Sequence, residues 1–98
     1  MEKLNAIKNV VTRVFNDKRD TYELNYTLQQ ISYNLNCHHV DYIIYSPSGL
    51  VASFSVSDYC IFEATLTNDI TTSTYELEWW HDFVGDVKEA LREVSENE

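Results

Sequence analysis

Strand patterning runs from Val40 to Leu66, with a period of two over Leu50–Ser57 and again over Cys60–Leu66, and it constrains the fold more than any other feature. Val40 to Tyr45 is β-branched and aromatic, and Ser46–Pro47–Ser48–Gly49 supplies turn chemistry directly after it. Leu50, Ala52, Phe54 and Val56 then face one way while Ser53, Ser55 and Ser57 face the other. Cys60, Phe62, Ala64 and Leu66 repeat the pattern against Ile61, Glu63 and Thr65. The pattern predicts three strands in an antiparallel meander with one face buried and one wet.

Both flanks change period. In the first fifteen residues Leu4, Ile7, Val11 and Val14 recur at spacings of three and four, with Val10 and Phe15 alongside. That spacing predicts a helix over about residues 2–16, with Asn16 to Asp20 as a polar turn. Tyr22, Leu24, Tyr26 and Leu28 alternate like a strand over 21–28. After Leu28 the phase breaks. Ile31 and Leu35 continue at helical spacing, although Ile31, Tyr33 and Leu35 also alternate, and the expectation here is a short helix over 28–36. Past an Asn68–Asp69 turn, Leu77, Trp80, Val84, Val87, Leu91 and Val94 form a long apolar stripe. A helix starting near Thr74 follows, with Ser73 and Glu76 as a capping box, against a competing strand-like alternation of Tyr75, Leu77 and Trp79. Gly85 costs that helix up to about 1 kcal/mol relative to Ala. The expected fold is α+β: a small antiparallel sheet of three or four strands, the N- and C-terminal helices packed on one face, in a single domain over 1–98.

Charge is distributed unusually. The chain holds 16 Asp plus Glu against 7 Lys plus Arg, a formal charge of −9. From Asp20 through Val87 no Lys or Arg occurs in 68 residues, while Asp20, Glu23, Asp41, Asp58, Glu63, Asp69, Glu76, Glu78, Asp82 and Asp86 all fall there. Ordinary surfaces intersperse the two signs, because neighbouring carboxylates repel and cations relieve them. A surface of one sign projects a field over roughly 8 Å at physiological salt, drawing cationic partners and repelling nucleic acid and anionic membrane. With 44% apolar and 13% aromatic residues, the chain is too rich in core formers for a disordered acidic tail. Two cysteines, no apolar run near the roughly 18 residues of a membrane span and no signal-peptide pattern lead to the expectation of a cytoplasmic protein with reduced thiols.

On the C-terminal helix Glu78, Asp82, Asp86, Glu89 and Glu93 recur at spacings of 4, 4, 3 and 4, which sets carboxylates roughly 6 Å apart along the axis. A solvated helix face looks the same, and Lys88 and Arg92 sit beside the row. Combined with the cation-free stretch, a row of carboxylates flanked by aromatics suits a groove made for a phosphate backbone. In size, charge and aromatic content the chain resembles small acidic phage inhibitors of the anti-restriction and anti-CRISPR DNA-mimic kind. That resemblance extends over the whole chain as composition, with no family motif. It implies an inhibitor that blocks the nucleic-acid site of a bacterial defence nuclease. The expected partner is a basic nucleic-acid-binding protein, with no direct contact to nucleic acid or membrane. The contact residues expected are Asp69, Glu76, Glu78, Trp79, Asp82, Asp86, Glu89 and Glu93, with Trp80 in the core and Trp79 at the stripe's edge as the aromatic contact.

Chemistry of its own is not expected. Cys37, His38, His39, Cys60 and His81 have the atoms for zinc but not the paired spacing of a finger, and Cys60 falls on the apolar phase of its strand. No nucleophile–His–acid pattern, P-loop or G-x-G-x-x-G occurs. No cofactor, no metal and no enzyme activity are therefore expected. The alternative function is an assembly or immunity-type interaction module, a possible homodimer, whose acidity serves only solubility.

Overall fold

The computed structural model describes residues 2–67 and 74–97. Its elements run α1 (Glu2–Thr21), β1 (Thr27–Asn34), β2 (His39–Ser46), β3 (Gly49–Ser57), β4 (Cys60–Leu66) and α2 (Thr74–Glu96). The four strands form one antiparallel sheet in the order β1-β2-β3-β4, and the fold is α+β with a helix at each end.

Both helices cover the same sheet face. Leu4, Ile7, Val11 and Phe15 from α1 and Trp79, Phe83, Val87 and Leu91 from α2 close over Val40, Tyr42, Ile44, Ala52, Phe54 and Val56 in one core cluster. The helices run antiparallel, since Lys18 pairs with Asp86 and Tyr22 reaches Asp82. Phe83 sits at the centre, 5.4 Å from Phe54 and 6.1 Å from Phe15 between ring centroids. Among the described residues no helix lies over the polar face of the sheet.

Four expectations fail, each for a local reason. The first helix continues through the residues read as a turn, ending at Thr21. Lys18 and Arg19 in its last turn suit the negative end of the helix dipole. Its stop is a Schellman motif: Glu23 N–H donates to the Asp20 carbonyl and Leu24 N–H to the Arg19 carbonyl. Glu23 takes the left-handed position at φ 54° that glycine usually fills, so no glycine marks the boundary. The strand predicted over 21–28 and the helix over 28–36 are replaced by a connection and by β1, because pairing with β2 outweighs the helical spacing of Leu28, Ile31 and Leu35.

The last strand departs from its predicted phase. Ser53 pairs with Thr65 and Ser55 with Phe62, so a bulge at Glu63 (φ 51°) and Ala64 shifts the alternation. Ile61 and Leu66 consequently pack on the core, whereas Cys60 is exposed and not a buried hydrophobe. Asp58 (φ 48°) and Tyr59 (φ 68°) form the two-residue loop between β3 and β4, both left-handed as a type I′ turn requires. Lys3 holds that turn to α1, 3.1 Å from the Asp58 carboxylate and 4.9 Å from the Tyr59 ring centre.

Candidate interaction surface

The acidic row lies along the seam between the helices. Arg13, Val14 and Asp17 of α1 share a shallow depression with Asp86, Glu89, Ala90 and Glu93 of α2. Lys18 closes an ion pair of 2.8 Å on Asp86, and its ammonium pKa is raised, first by that hydrogen bond and then by the charges of Asp86, Asp82 and Asp17. Asp86 is therefore part of the helix–helix joint. Among the described residues no Lys or Arg pairs with Glu78, Asp82, Glu89 or Glu93. Lys88 and Arg92 border Glu89 on its other flank, so the C-terminal half of the row carries mixed charge.

The N-terminal half differs. There the end of α1 comes down beside the start of α2, and Tyr22, Thr74, Leu77, Glu78, His81 and Asp82 line a second depression. Tyr22 donates its hydroxyl to the Asp82 carboxylate, Tyr75 donates to the Tyr22 carbonyl, and the two rings meet edge to face at 5.4 Å. The Tyr22 hydroxyl is pushed up to about 12, chiefly by its bond to Asp82 and then by desolvation and the charges of Asp82 and Glu78. Tyr75 and Leu77 stand 48% and 42% exposed beside these carboxylates. Residues 17–23 and 74–86 contain seven carboxylates, Asp17, Asp20, Glu23, Glu76, Glu78, Asp82 and Asp86, against two cations, Lys18 and Arg19. Lys18 is engaged by Asp86, while Arg19 lies 3.6 Å from Asp20 and over the Phe15 ring.

The eight expected contact residues thus separate. Glu78, Asp82, Glu89 and Glu93 are exposed, and Glu76 and Asp86 are partly so. Glu76 approaches Tyr26, whose hydroxyl pKa is raised, first by burial and then by the Glu76 charge and hydrogen bond. Asp69, with the Ser73 side of the predicted capping box, lies outside the described residues. Trp79 is a correction. It is 0% exposed, packed 5.0 Å from the Tyr26 ring and 5.8 Å from Phe83, and cannot touch a partner. The inward face of α2 runs through Trp79, Phe83 and Val87, so the predicted stripe was rotated away from Phe83 and its first member, Leu77, is left outside. Leu77 and Tyr75 are the exposed large apolar side chains of this end of α2, and the antiparallel pairing of the helices brings them next to Tyr22 and the end of α1.

A second polar constellation occupies the uncovered sheet face. Asp41 on β2 accepts hydroxyl hydrogen bonds from Ser32 on β1 and Ser55 on β3, and pairs with the His39 ring at 2.7 Å. These donors hold its carboxyl well below the usual range, at about 2, with the two serines the larger causes. His39 in turn meets the Phe62 ring edge to face at 5.4 Å. Serine, histidine and aspartate are all present, but both serines and the histidine converge on the carboxylate. Nucleophilic catalysis needs the hydroxyl turned to the histidine. Asp41 is a hub that ties three strands together. Among the described residues no three His, Cys, Asp or Glu side chains converge as metal ligands would, and no helix is long and apolar enough to cross a membrane. Compared with protein-family models, curated proteins and solved structures, the chain matches none, and no residue role is transferred from a relative.

Proposed function

We propose that this chain is a small acidic binding protein that inhibits a basic, nucleic-acid-handling protein by occupying its DNA or RNA site. The observation that carries the reading is the charge at the junction of α1 and α2: seven carboxylates against two cations, both of the latter already engaged within the molecule. Exposed Tyr75 and Leu77 give that end apolar contact area beside the carboxylates Glu78 and Asp82. A cleft lined with Lys and Arg for phosphates presents the complementary arrangement. The contact residues of this reading are Glu76, Glu78 and Asp82, with Glu89 and Glu93 extending the row and Asp86 contributing less because Lys18 already neutralises it. No step of the reading requires a cofactor or a reaction.

The test is capture of DNA-binding proteins from a bacterial lysate on the immobilised chain, with and without competing duplex DNA. A retained basic protein is expected to be released by DNA and by salt. Replacing Glu78 and Asp82 by Lys together is expected to abolish capture by slowing association more than it hastens dissociation. Retention that is indifferent to salt between about 50 and about 500 mM overturns the reading, because screening acts on any charge-led association over that range.

A further inference from the structure

The two edges of the sheet are treated very differently. On β4 the bulge places Glu63 at φ 51° in the middle of the strand, a charge and a kink of the sort that discourages further pairing, and α2 lies over this side. On β1 seven of eight residues are exposed, only Leu28 being partly covered. Residues 24–37 contain no charged side chain at all, in a chain whose formal charge is −9. There is no Pro, Lys or carboxylate on β1 to guard it, and its single irregularity, between Gln30 and Ser32, lies in the pairing with β2. Ile31 and Tyr33 are each 56% exposed and Leu35, just beyond, 46%. An edge of this kind, with unsatisfied backbone groups beside apolar side chains, is a template for another strand.

We infer that the occupant is a second copy of this chain: two β1 strands pair antiparallel about a twofold axis and join two four-stranded sheets into one. Charge directs a second copy to this edge and away from the acidic surfaces. Two molecules of −9 repel through most of their surfaces, and the uncharged stretch over 24–37 lets their backbones meet without bringing fixed charges together. Among the described residues Lys8, whose ammonium lies 5.0 Å from the Tyr33 ring centre, and Asp41, which takes the Ser32 hydroxyl, meet side chains of β1, one of each sign. A basic partner gains nothing at this edge, whereas an antiparallel strand is self-complementary by symmetry. Pairing also covers Ile31, Tyr33 and Leu35.

Sedimentation of the purified chain from micromolar to millimolar concentration tests this. A monomer–dimer equilibrium is expected that tightens several-fold as salt rises from about 50 to about 500 mM, since screening removes repulsion between like-charged copies. Capture of a basic partner weakens over the same range, so the two interactions have opposite salt dependence and fail separately. Ile31→Lys is expected to weaken the dimer at least about tenfold, while Leu50→Lys, beyond β1 and equally exposed, leaves it unchanged. Hydrogen exchange of the unsubstituted chain supplies a readout free of any folding defect in the variants: β1 amides gain protection with concentration. A chain that stays monomeric at millimolar concentration in high salt overturns the inference, as does a dimer that Leu50→Lys breaks and Ile31→Lys spares.

Discussion

Asp41 on the open sheet face and Asp82 at the junction of the helices are both carboxylates without a Lys or Arg partner, and they serve opposite ends. Asp41 accepts from Ser32 and Ser55 and pairs with His39, so its charge is answered from three strands within the molecule. Asp82 is exposed and receives the Tyr22 hydroxyl alone, with Glu78 one turn away and unpaired by any cation among the described residues. The contrast separates a carboxylate that builds the sheet from carboxylates that no cation among the described residues answers. Proximity to cations does not make that distinction, since Lys18 and Arg19 stand at the helix end and pair with Asp86 and Asp20, not with Asp82. The number of internal donors does.

The largest expected effect on this contrast comes from Asp41→Ala. It leaves the hydroxyl of buried Ser55 and the His39 ring without their acceptor, and a loss of about 1–3 kcal/mol in urea unfolding is expected. Asp82→Ala removes one bond at an exposed site and is expected to cost less than about 1 kcal/mol. Equal losses from the two substitutions break the distinction. Acid is the next lever. Because the folded carboxyl of Asp41 titrates at about 2, below its unfolded value of about 3.8, its contribution is present above pH 4 and lost as pH falls toward 2. Solvent contact limits this to about 1 kcal/mol. Asp41→Asn is expected to flatten that part of the stability–pH profile, measured by urea midpoints between about pH 5 and about pH 2.

Much of the fold is legible in the residues because periodicity acts locally. The β-branched and aromatic run Val40–Tyr45 sets β2, the alternation from Leu50 sets β3, and six apolar positions at helical spacing outweigh the strand-like Tyr75, Leu77 and Trp79 in α2. What failed depends on partners distant in sequence. Ile31 alternates and also continues a helical spacing, and only the β2 strand beside it decides. The bulge at Glu63 comes from a left-handed backbone in a non-glycine residue, which composition does not signal. At the candidate site the row of carboxylates is visible from spacing, but the Lys18–Asp86 pair that neutralises its middle requires the antiparallel helices. The Asp41 hub was hidden for the same reason: Ser32, Asp41 and Ser55 are neighbours only across the sheet.

The smallest effect belongs to Glu78→Gln, and it sharpens the contrast most. Glu78 has no cation and no hydrogen-bond donor among the described residues, and Asp82 lies four positions along the same helix face. Like charges at that spacing cost a helix a few tenths of a kcal/mol, and removing one returns that amount. The substitution is therefore expected to stabilise the chain by a few tenths of a kcal/mol in thermal unfolding at low salt, with the gain fading as salt screens the pair. Lys18→Met works in the other direction, taking the cation from Asp86 at the cost of up to about 1 kcal/mol. A carboxylate whose removal stabilises the fold has no structural role within it, which is what the proposed contact of Glu78 with a basic partner requires. A loss of more than about 1 kcal/mol from Glu78→Gln instead assigns it an internal role and shrinks the outward-facing charge to Asp82 and its neighbours.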